Sequence, residues 1–426
     1  AFFDTSHLGK DLKKRSLKGG ALTVSSQGVK FLIQLGSTMI LARILAPEDY
    51  GIMAMVMAVA GFAKMFTSLG LSAATIQRAD INHAQVSTLF WINAGMGALL
   101  MLLLASLSPV VAWFYNTPEL TWVTMALSVT FLLSGLSVQH GAMLNRQMRF
   151  LPQAVIQIGS MLAGILVAIF AAMQGLGYWA LVLHNIVMTF TTVLGKWLAV
   201  RWIPSLPSRA AGVGSMVKFG SDLMGFNVIN YFSRNLDNIL IGRFHGSGPL
   251  GFYSKAYQLL MMPIQNLRDP LNRVAMPALS RLQNEPENYR NYYMKLVSIL
   301  SFVSMPLVTF LFVCSDQVIS IILGPQWGEA SELFKILALV AFIQPVASTR
   351  GLVLISTGKS RRYLVLGTAG AIVMCLSFVA GLPWGAKGVA IGYTIGLYIG
   401  LLPFLYLSFK QTPVRLIDFF KAVYKP

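Results

Sequence analysis

Charge is what this sequence has least of. Only 11% of its 426 residues are charged, and 15 acids stand against 33 lysines and arginines. A soluble domain carries about 25% charged residues, so an ordinary water-soluble fold is excluded. There are two cysteines, Cys314 and Cys375, with no partner spacing. That excludes a disulfide framework and a metal motif, and both read as small apolar residues. Long connecting segments are missing as well, which leaves no room for an ATPase or glycosyltransferase domain. There is no HExxH, no nucleophile elbow and no carboxylate pair of the glycosidase kind. Gly358-Lys359-Ser360 has the look of a P-loop ending, but Val353 stands where the first glycine is required. Neither an enzyme, a cofactor nor a metal centre is expected, so energy for any work comes from an ion gradient or a partner.

Apolar residues fill the space. They make up 55% of the chain, and runs of 18 or more recur from Gly20 to Phe409. Each is long enough to cross a hydrocarbon core. Inside that core the backbone must satisfy its own hydrogen bonds, so such runs are helices; barrel strands would be about ten residues long and alternating. Helices are expected at 19–45, 50–78, 85–114, 119–144, 151–173, 177–201, 214–243, 251–280, 292–322, 331–357, 362–381 and 386–409. Turn chemistry separates them, for example Ala46-Pro47-Glu48-Asp49, Asn116-Thr117-Pro118, Gly246-Ser247-Gly248-Pro249 and Gly324-Pro325. The fold class is therefore an all-α polytopic membrane protein of about twelve spans. The run Gly9-Lys10-Asp11-Leu12-Lys13-Lys14-Arg15 is basic and amphipathic, and the apolar stretch after it is too long for a signal-peptide core.

The cations set the orientation. Nineteen lie at one end of the spans: Lys10, Lys13, Lys14, Arg15, Lys18, Arg78, Arg146, Arg149, Arg201, Arg209, Arg281, Arg290, Lys359, Arg361, Arg362, Lys410, Arg415, Lys421 and Lys425. Only Arg43, Arg243 and Lys387 lie at the other. The positive-inside rule places the first end, with both termini, in the cytoplasm.

Two halves repeat. Residues 37–51 and 237–251 share Arg43/Arg243 and Gly51/Gly251 at one spacing. Gly141 with Arg149-Phe150 matches Gly351 with Arg361-Arg362-Tyr363, and Gly177-Tyr178-Trp179 matches Gly385-Ala386-Lys387, both at an offset near 210. Six helices per half is even, so the halves share one membrane orientation. The expected organisation is a basic N-tail at 1–18, a six-helix bundle at 19–201, a linker at 202–213, a second bundle at 214–409 and a C-tail at 410–426.

Some cations fall inside spans. Lys30, Lys64, Arg234 and Arg268 are far from the expected ends, with Lys255 and Arg273 nearer to them. Each central cation facing lipid costs about 2.5–3.5 kcal/mol, so these face a water-filled cavity or pair with acids. Thr23, Gln27, Lys30, Gln34 and Thr38 form one helical stripe, and Asn227, Asn230, Arg234, Asp237 and Asn238 form its repeat equivalent. Asp222, Asp237 and Asp269 are the acids of this region; Asp237 can pair with Arg234, and Asp269 with Arg273. An excess of interior cations points to an anionic ligand, phosphate above all. Candidate substrate-binding residues are Lys30, Gln34, Lys64, Asn230, Arg234, Arg268 and Arg273, and Asp237 with Asn238 are the ion-coupling candidates. Asn93, Gln139, His140, Gln157, His184, Asn185 and Gln344 read instead as interhelical hydrogen-bonding residues.

Leu41-Ala42-Arg43-Ile44-Leu45-Ala46-Pro47-Glu48-Asp49-Tyr50-Gly51, the seventh-span Asn235-Leu236-Asp237-Asn238-Ile239-Leu240-Ile241-Gly242 and Gly177-Tyr178-Trp179-Ala180-Leu181 together resemble one known family. It is the polysaccharide-exporter (Wzx-type) branch of the multidrug/oligosaccharidyl-lipid/polysaccharide (MOP) flippase superfamily, in its lipopolysaccharide and teichuronic acid exporter subgroup. The resemblance implies two six-helix bundles around a central cationic cavity with alternating access. The implied cargo is an undecaprenyl-pyrophosphate-linked oligosaccharide moved from the cytoplasmic to the outer leaflet of a bacterial inner membrane, alongside a polysaccharide polymerase and chain-length machinery. Members have 12 to 14 spans, which leaves room for two more beyond residue 426. A multidrug exporter of the same superfamily is the alternative; its organic cations would favour a lining of acids and aromatics. A membrane-embedded polymerase is a further alternative, although it would require a long outer loop. Nucleic acid is not an expected partner, because the net charge of +18 is accounted for by topology.

Overall fold

Helix boundaries fall where the turn residues stand. The computed structural model describes residues 12–67, 70–78, 80–208, 231 and 234–424, and among them there is no strand. In the first half, α1 (Leu12–Ile44) is followed by α2 (Pro47–Thr67), α3 (Leu71–Gln77), α4 (His83–Tyr115), α5 (Leu120–Gly135), α6 (Val138–Arg146), α7 (Phe150–Met173) and α8 (Trp179–Val200). In the second, α9 (234–245) is followed by α10 (Ser247–Arg281), α11 (Pro286–Val313), α12 (Ser315–Ile322), α13 (Gly328–Ala347), α14 (Arg350–Ser356), α15 (Ser360–Gly381), α16 (Gly385–Phe409) and α17 (Leu416–Tyr424). Pro47 and Pro286 open their helices, where the missing N–H costs nothing. Asn82 caps α4 by a reciprocal pair of bonds with Gln85.

Among the described residues, seven helical runs, or eight with the α5/α6 pair bent by 42°, are long and apolar enough to span a membrane. One of them, Ser360–Phe409, is 50 residues long and consists of α15 and α16, each of which can cross alone. The remaining expected spans are α1, α10 and the stretch through α9. The polar residues of α1 and α10 dilute their apolar signal, α10 alone carrying Lys255, Arg268, Asp269 and Arg273; most of the stretch before α9 lies outside the described residues.

The chain divides into two compact units, Ala1–Tyr231 and Phe232–Pro426. Tyr231 belongs with the first because its hydroxyl donates to the Ala58 carbonyl at 2.9 Å and the Met57 carbonyl at 3.2 Å, both on α2. Residues 209–230, where the second bundle was expected to begin, lie outside the described residues.

Each unit shows the repeat locally. Both interrupt their fourth span: α5 gives way to α6 at Leu136–Ser137, and α13 to α14 at Ser348–Thr349. Both open the sixth span with a glycine at positive φ, Gly177 (52°) two residues before α8 and Gly385 (72°) as the first residue of α16. The second span is also interrupted, between α2 and α3, with Gly70 at φ 66°.

Small residues allow helices to touch backbone to backbone. A Cβ on Gly97 of α4 would lie 2.7 Å from the Phe131 carbonyl of α5, and one on Gly135 would lie 2.5 Å from the Asn93 carbonyl. In the second unit Gly388, Gly392 and Gly396 of α16 recur every four residues and press on Gly381 and Ser377 of α15. This is the small-residue mode of membrane helix packing.

The expected C-tail is in fact partly helical. In α17, Phe419 and Ala422 are fully buried against Tyr289, Tyr293 and Phe409, while Ile417, Phe420 and Tyr424 are exposed. Arg290 holds it by bonding Asp418 at 3.3 Å and the Pro413 carbonyl at 3.0 Å. Other basic loop residues act similarly. Arg146 is 7% exposed and donates to the Thr75 and Arg78 carbonyls at the end of α3. Arg149 donates to Ala199 at the end of α8, and Arg362 to Lys410 at the end of α16. Cations that mark topology therefore also fill the orphan carbonyls of helix C-termini.

Candidate functional site

The polar stripe of α1 meets α7. The Lys30 ammonium donates to Gln157 Oε1 at 2.8 Å, so a residue taken for a cavity ligand is engaged by one taken for interhelical bonding. Gln34, one turn further along, is half-buried.

Lys64 sits three residues before α2 ends at Thr67 and is exposed. The candidate span that holds it runs over Pro47–Gln77, which leaves Lys64 far from either end of the span. Lys196 of α8, absent from the expected set, lies 3.4 Å from Ser137 Oγ at the α5/α6 break and 3.4 Å from the Cβ position of Gly141. The two ammoniums are within Coulombic reach of each other, and neither has a carboxylate partner among the described residues. The signal for Lys196 was present in the sequence: Asn185, Thr189, Thr192 and Lys196 recur at three or four residues, as the stripe of α1 does.

In the second unit Asp237 is 4% exposed. Its Oδ2 accepts from the Tyr253 hydroxyl at 2.8 Å and its Oδ1 from the Asn238 N–H at 2.8 Å. The expected ion pair with Arg234 is not formed; Arg234 is exposed, and a phenol from α10 takes its place. Tyr253 stacks on Tyr257 at 6.5 Å, Tyr257 lies 6.4 Å from Tyr393 of α16, and Gln344 Nε2 donates to the Tyr393 hydroxyl at 2.9 Å. Asn238 Oδ1 and Gln344 Oε1 are buried and have no hydrogen-bond partner among the described residues. Asp269 bonds its neighbour Arg268 at 3.3 Å and not Arg273, which is left exposed. Asn230 lies outside the described residues.

The arrangement supplies uncompensated ammonium groups in the first unit and one hydrogen-bonded carboxyl group in the second. It contains no cluster of three or more metal-ligating side chains among the described residues.

A family model described as polysaccharide biosynthesis protein matches residues 40–332. The chain belongs to the polysaccharide biosynthesis protein family. Within it, the chain is 29% identical to the teichuronic acid biosynthesis protein TuaB of Bacillus subtilis, over 86% of this chain and 76% of that one. It is 24% identical to the lipopolysaccharide biosynthesis protein WzxC of Escherichia coli, over 94% and 84%. Among solved structures, the lipid II flippase MurJ in an inward closed conformation superposes with a TM-score of 0.73 at 14% identity, covering 96% of this chain and 90% of that one. An inward-facing multidrug resistance MATE transporter of the MOP superfamily follows with 0.67 at 14%, covering 89% and 94%. At such identities the structures establish the fold alone, and that fold is the two-lobed, helical one of membrane transporters. This family member is a multi-pass membrane protein.

Proposed function

We propose that this protein is a flippase that carries an undecaprenyl-pyrophosphate-linked oligosaccharide from the cytoplasmic to the outer leaflet of the bacterial inner membrane, with both termini cytoplasmic. The observation that supports it most is the Lys64–Lys196 pair. Two neighbouring ammoniums without a carboxylate repel each other, and a diphosphate brought between them turns that repulsion into attraction. TuaB, WzxC and the succinoglycan biosynthesis transport protein ExoT of Rhizobium meliloti all have names from surface polysaccharide synthesis, which accords with a lipid-linked sugar cargo.

In this reading Lys30, Gln34, Asn230, Arg234, Arg268 and Arg273 complete a cationic lining in a central cavity that opens alternately to each side. Asp237 and Asn238 exchange a coupling ion, and a polysaccharide polymerase receives the product. The protein itself catalyses no covalent step. The test is export of surface polysaccharide by cells in which the chromosomal copy is replaced by Lys64→Ala, Lys196→Met or Arg234→Ala. Output should fall at least tenfold with membrane protein levels unchanged, as loss of a charge-assisted contact to phosphate of about 1.5–3 kcal/mol requires. Normal output from all three variants would refute the reading.

A further inference from the structure

Span ten resumes after its break at Arg350. This residue is half-buried, and its guanidinium lies over the Phe404 ring of α16, 5.2 Å from the centroid. Nη2 is 3.8 Å from the Cβ position of Gly370 on α15. Among the described residues Arg350 makes no hydrogen bond and no ion pair, so its five N–H donors are unused by the protein. An arginine inside a span is ordinarily paired or turned to water; this one is only stacked.

Its surroundings leave room. Tyr363, Gly367 and Gly370 stand at i, i+4 and i+7, on one face of α15. The Tyr363 ring is 3.1 Å from the Cβ position of Gly351, so that face looks onto α14. A Cβ on Gly367 would meet nothing within 4 Å, and the residue is exposed. The crevice between α14 and α15 is thus lined by glycines and closed on the α16 side by Phe404.

Arg350 lies six residues, about 9 Å at the helical rise, from the Ser356 end of α14. Just beyond are Lys359, Arg361 and Arg362. Lys359 and Arg362 commit their donors to Lys410 and Gln411, whereas Arg361 is exposed.

We infer that the Arg350 guanidinium, held over Phe404 in the glycine-lined crevice of α14 and α15, binds the phosphate headgroup of a membrane lipid from the adjoining leaflet. A planar guanidinium matches phosphate oxygens two at a time, stacking on Phe404 fixes its plane, and no carboxylate competes for it. The glycines give the first carbons of the lipid a place beside the helix. The same chemistry serves an anionic phospholipid of the bulk membrane or a polyprenyl diphosphate. The site does not depend on the transport reading: an export assay and a lipid-retention assay fail independently.

The experiment is native mass spectrometry of the full chain titrated separately with phosphatidylglycerol, a polyprenyl diphosphate, and diacylglycerol as the phosphate-free control. Arg350→Ala should weaken retention of a phosphate-bearing lipid about tenfold. Gly370→Leu, which fills the crevice and keeps the charge, should do likewise and carries the test if Arg350→Ala does not fold. Lys387→Ala, at the other end of the spans, should bind as the parent does. Loss confined to phosphatidylglycerol assigns the site to bulk lipid, and loss confined to the diphosphate assigns it to the carrier. Unchanged retention of both lipids by Gly370→Leu and by any folded Arg350 variant overturns the inference, as does diacylglycerol binding equal to that of phosphatidylglycerol.

Discussion

Replacing Gln139 with leucine should loosen the two broken spans of the first unit together. Gln139 is fully buried on α6 and joins three helices in one chain of bonds. Thr75 Oγ1 of α3 donates to Gln139 Oε1 at 2.8 Å, Gln139 Nε2 donates to Asn93 Oδ1 of α4 at 2.9 Å, and Asn93 Nδ2 donates to the Thr67 carbonyl at 3.3 Å. Thr67 is the last residue of α2 and Thr75 lies on α3, so the chain bridges one helix break while being anchored beside the other. Leucine keeps the volume and removes both bonds. Thr75 loses little, because its hydroxyl also donates to the Leu71 carbonyl at 3.0 Å; Asn93 Oδ1 loses the bond from Gln139 Nε2. An unsatisfied buried group costs about 1–3 kcal/mol in water-soluble proteins, and interhelical bonds in membranes average about 0.6 with a maximum near 1.7. With both interhelical bonds of Gln139 lost, the cost should be about 1–2 kcal/mol. Asn93→Leu alone should cost a similar amount by orphaning Gln139 Nε2. The double variant should be no worse than either single, a coupling of about 1 kcal/mol. The assay is reversible unfolding of the purified protein in mixed micelles, with the four proteins of the cycle compared at one denaturant concentration. Additive effects, with coupling below about 0.3 kcal/mol, would refute the network.

Gly392→Leu should damage the packing of α16 on α15. Its Cβ would press on the Ser377 carbonyl of α15, where only backbone could give way, and overpacking of this kind costs about 1–3 kcal/mol or more; the measure is the yield of folded, monodisperse protein, against Gly367→Leu as the open-space control. In α12, between two candidate spans, the bonds from Lys335 and Ser331 hold the Asp316 carboxyl below its ordinary 3.8. A carboxylate depressed in the folded state adds stability above its unfolded pKa and loses it as pH falls through the folded value. The melting-temperature difference between parent and Asp316→Asn should therefore be present at pH 7 and vanish below pH 3.8. It should also be small, since Asp316 is 63% exposed.

Eleven of the expected helices reappear among the described residues, most within three residues of the expected ends, because the bilayer demands uninterrupted apolar length. What the run lengths concealed were the breaks. The stretches 50–78, 119–144, 292–322 and 331–357 each read as one helix and are each two, because breaks at Gly70, Leu136, Cys314 and Ser348 interrupt the backbone without interrupting the apolar run. Helix α17 was missed for the opposite reason: nine residues are too few to stand out, and it is held by Arg290 and the aromatic cluster of α11 and α16.

Pairing of charges followed no sequence rule. Asp237 and Arg234 stand one turn apart, yet Tyr253, sixteen positions on, takes the carboxylate. Spacing along one helix fixes which residues share a face, but the partner comes from whichever helix is packed against that face. Composition and the alternation of apolar runs with basic loops determined that this chain crosses the membrane many times, with its cations gathered at one end, because transfer into hydrocarbon depends on each segment's own residues. The approach of Lys196 to Lys64, the capture of Asp237 by a phenol and the stacking of Arg350 on Phe404 were decided by tertiary structure alone. Each is a contact between helices, and only their packing sets those distances.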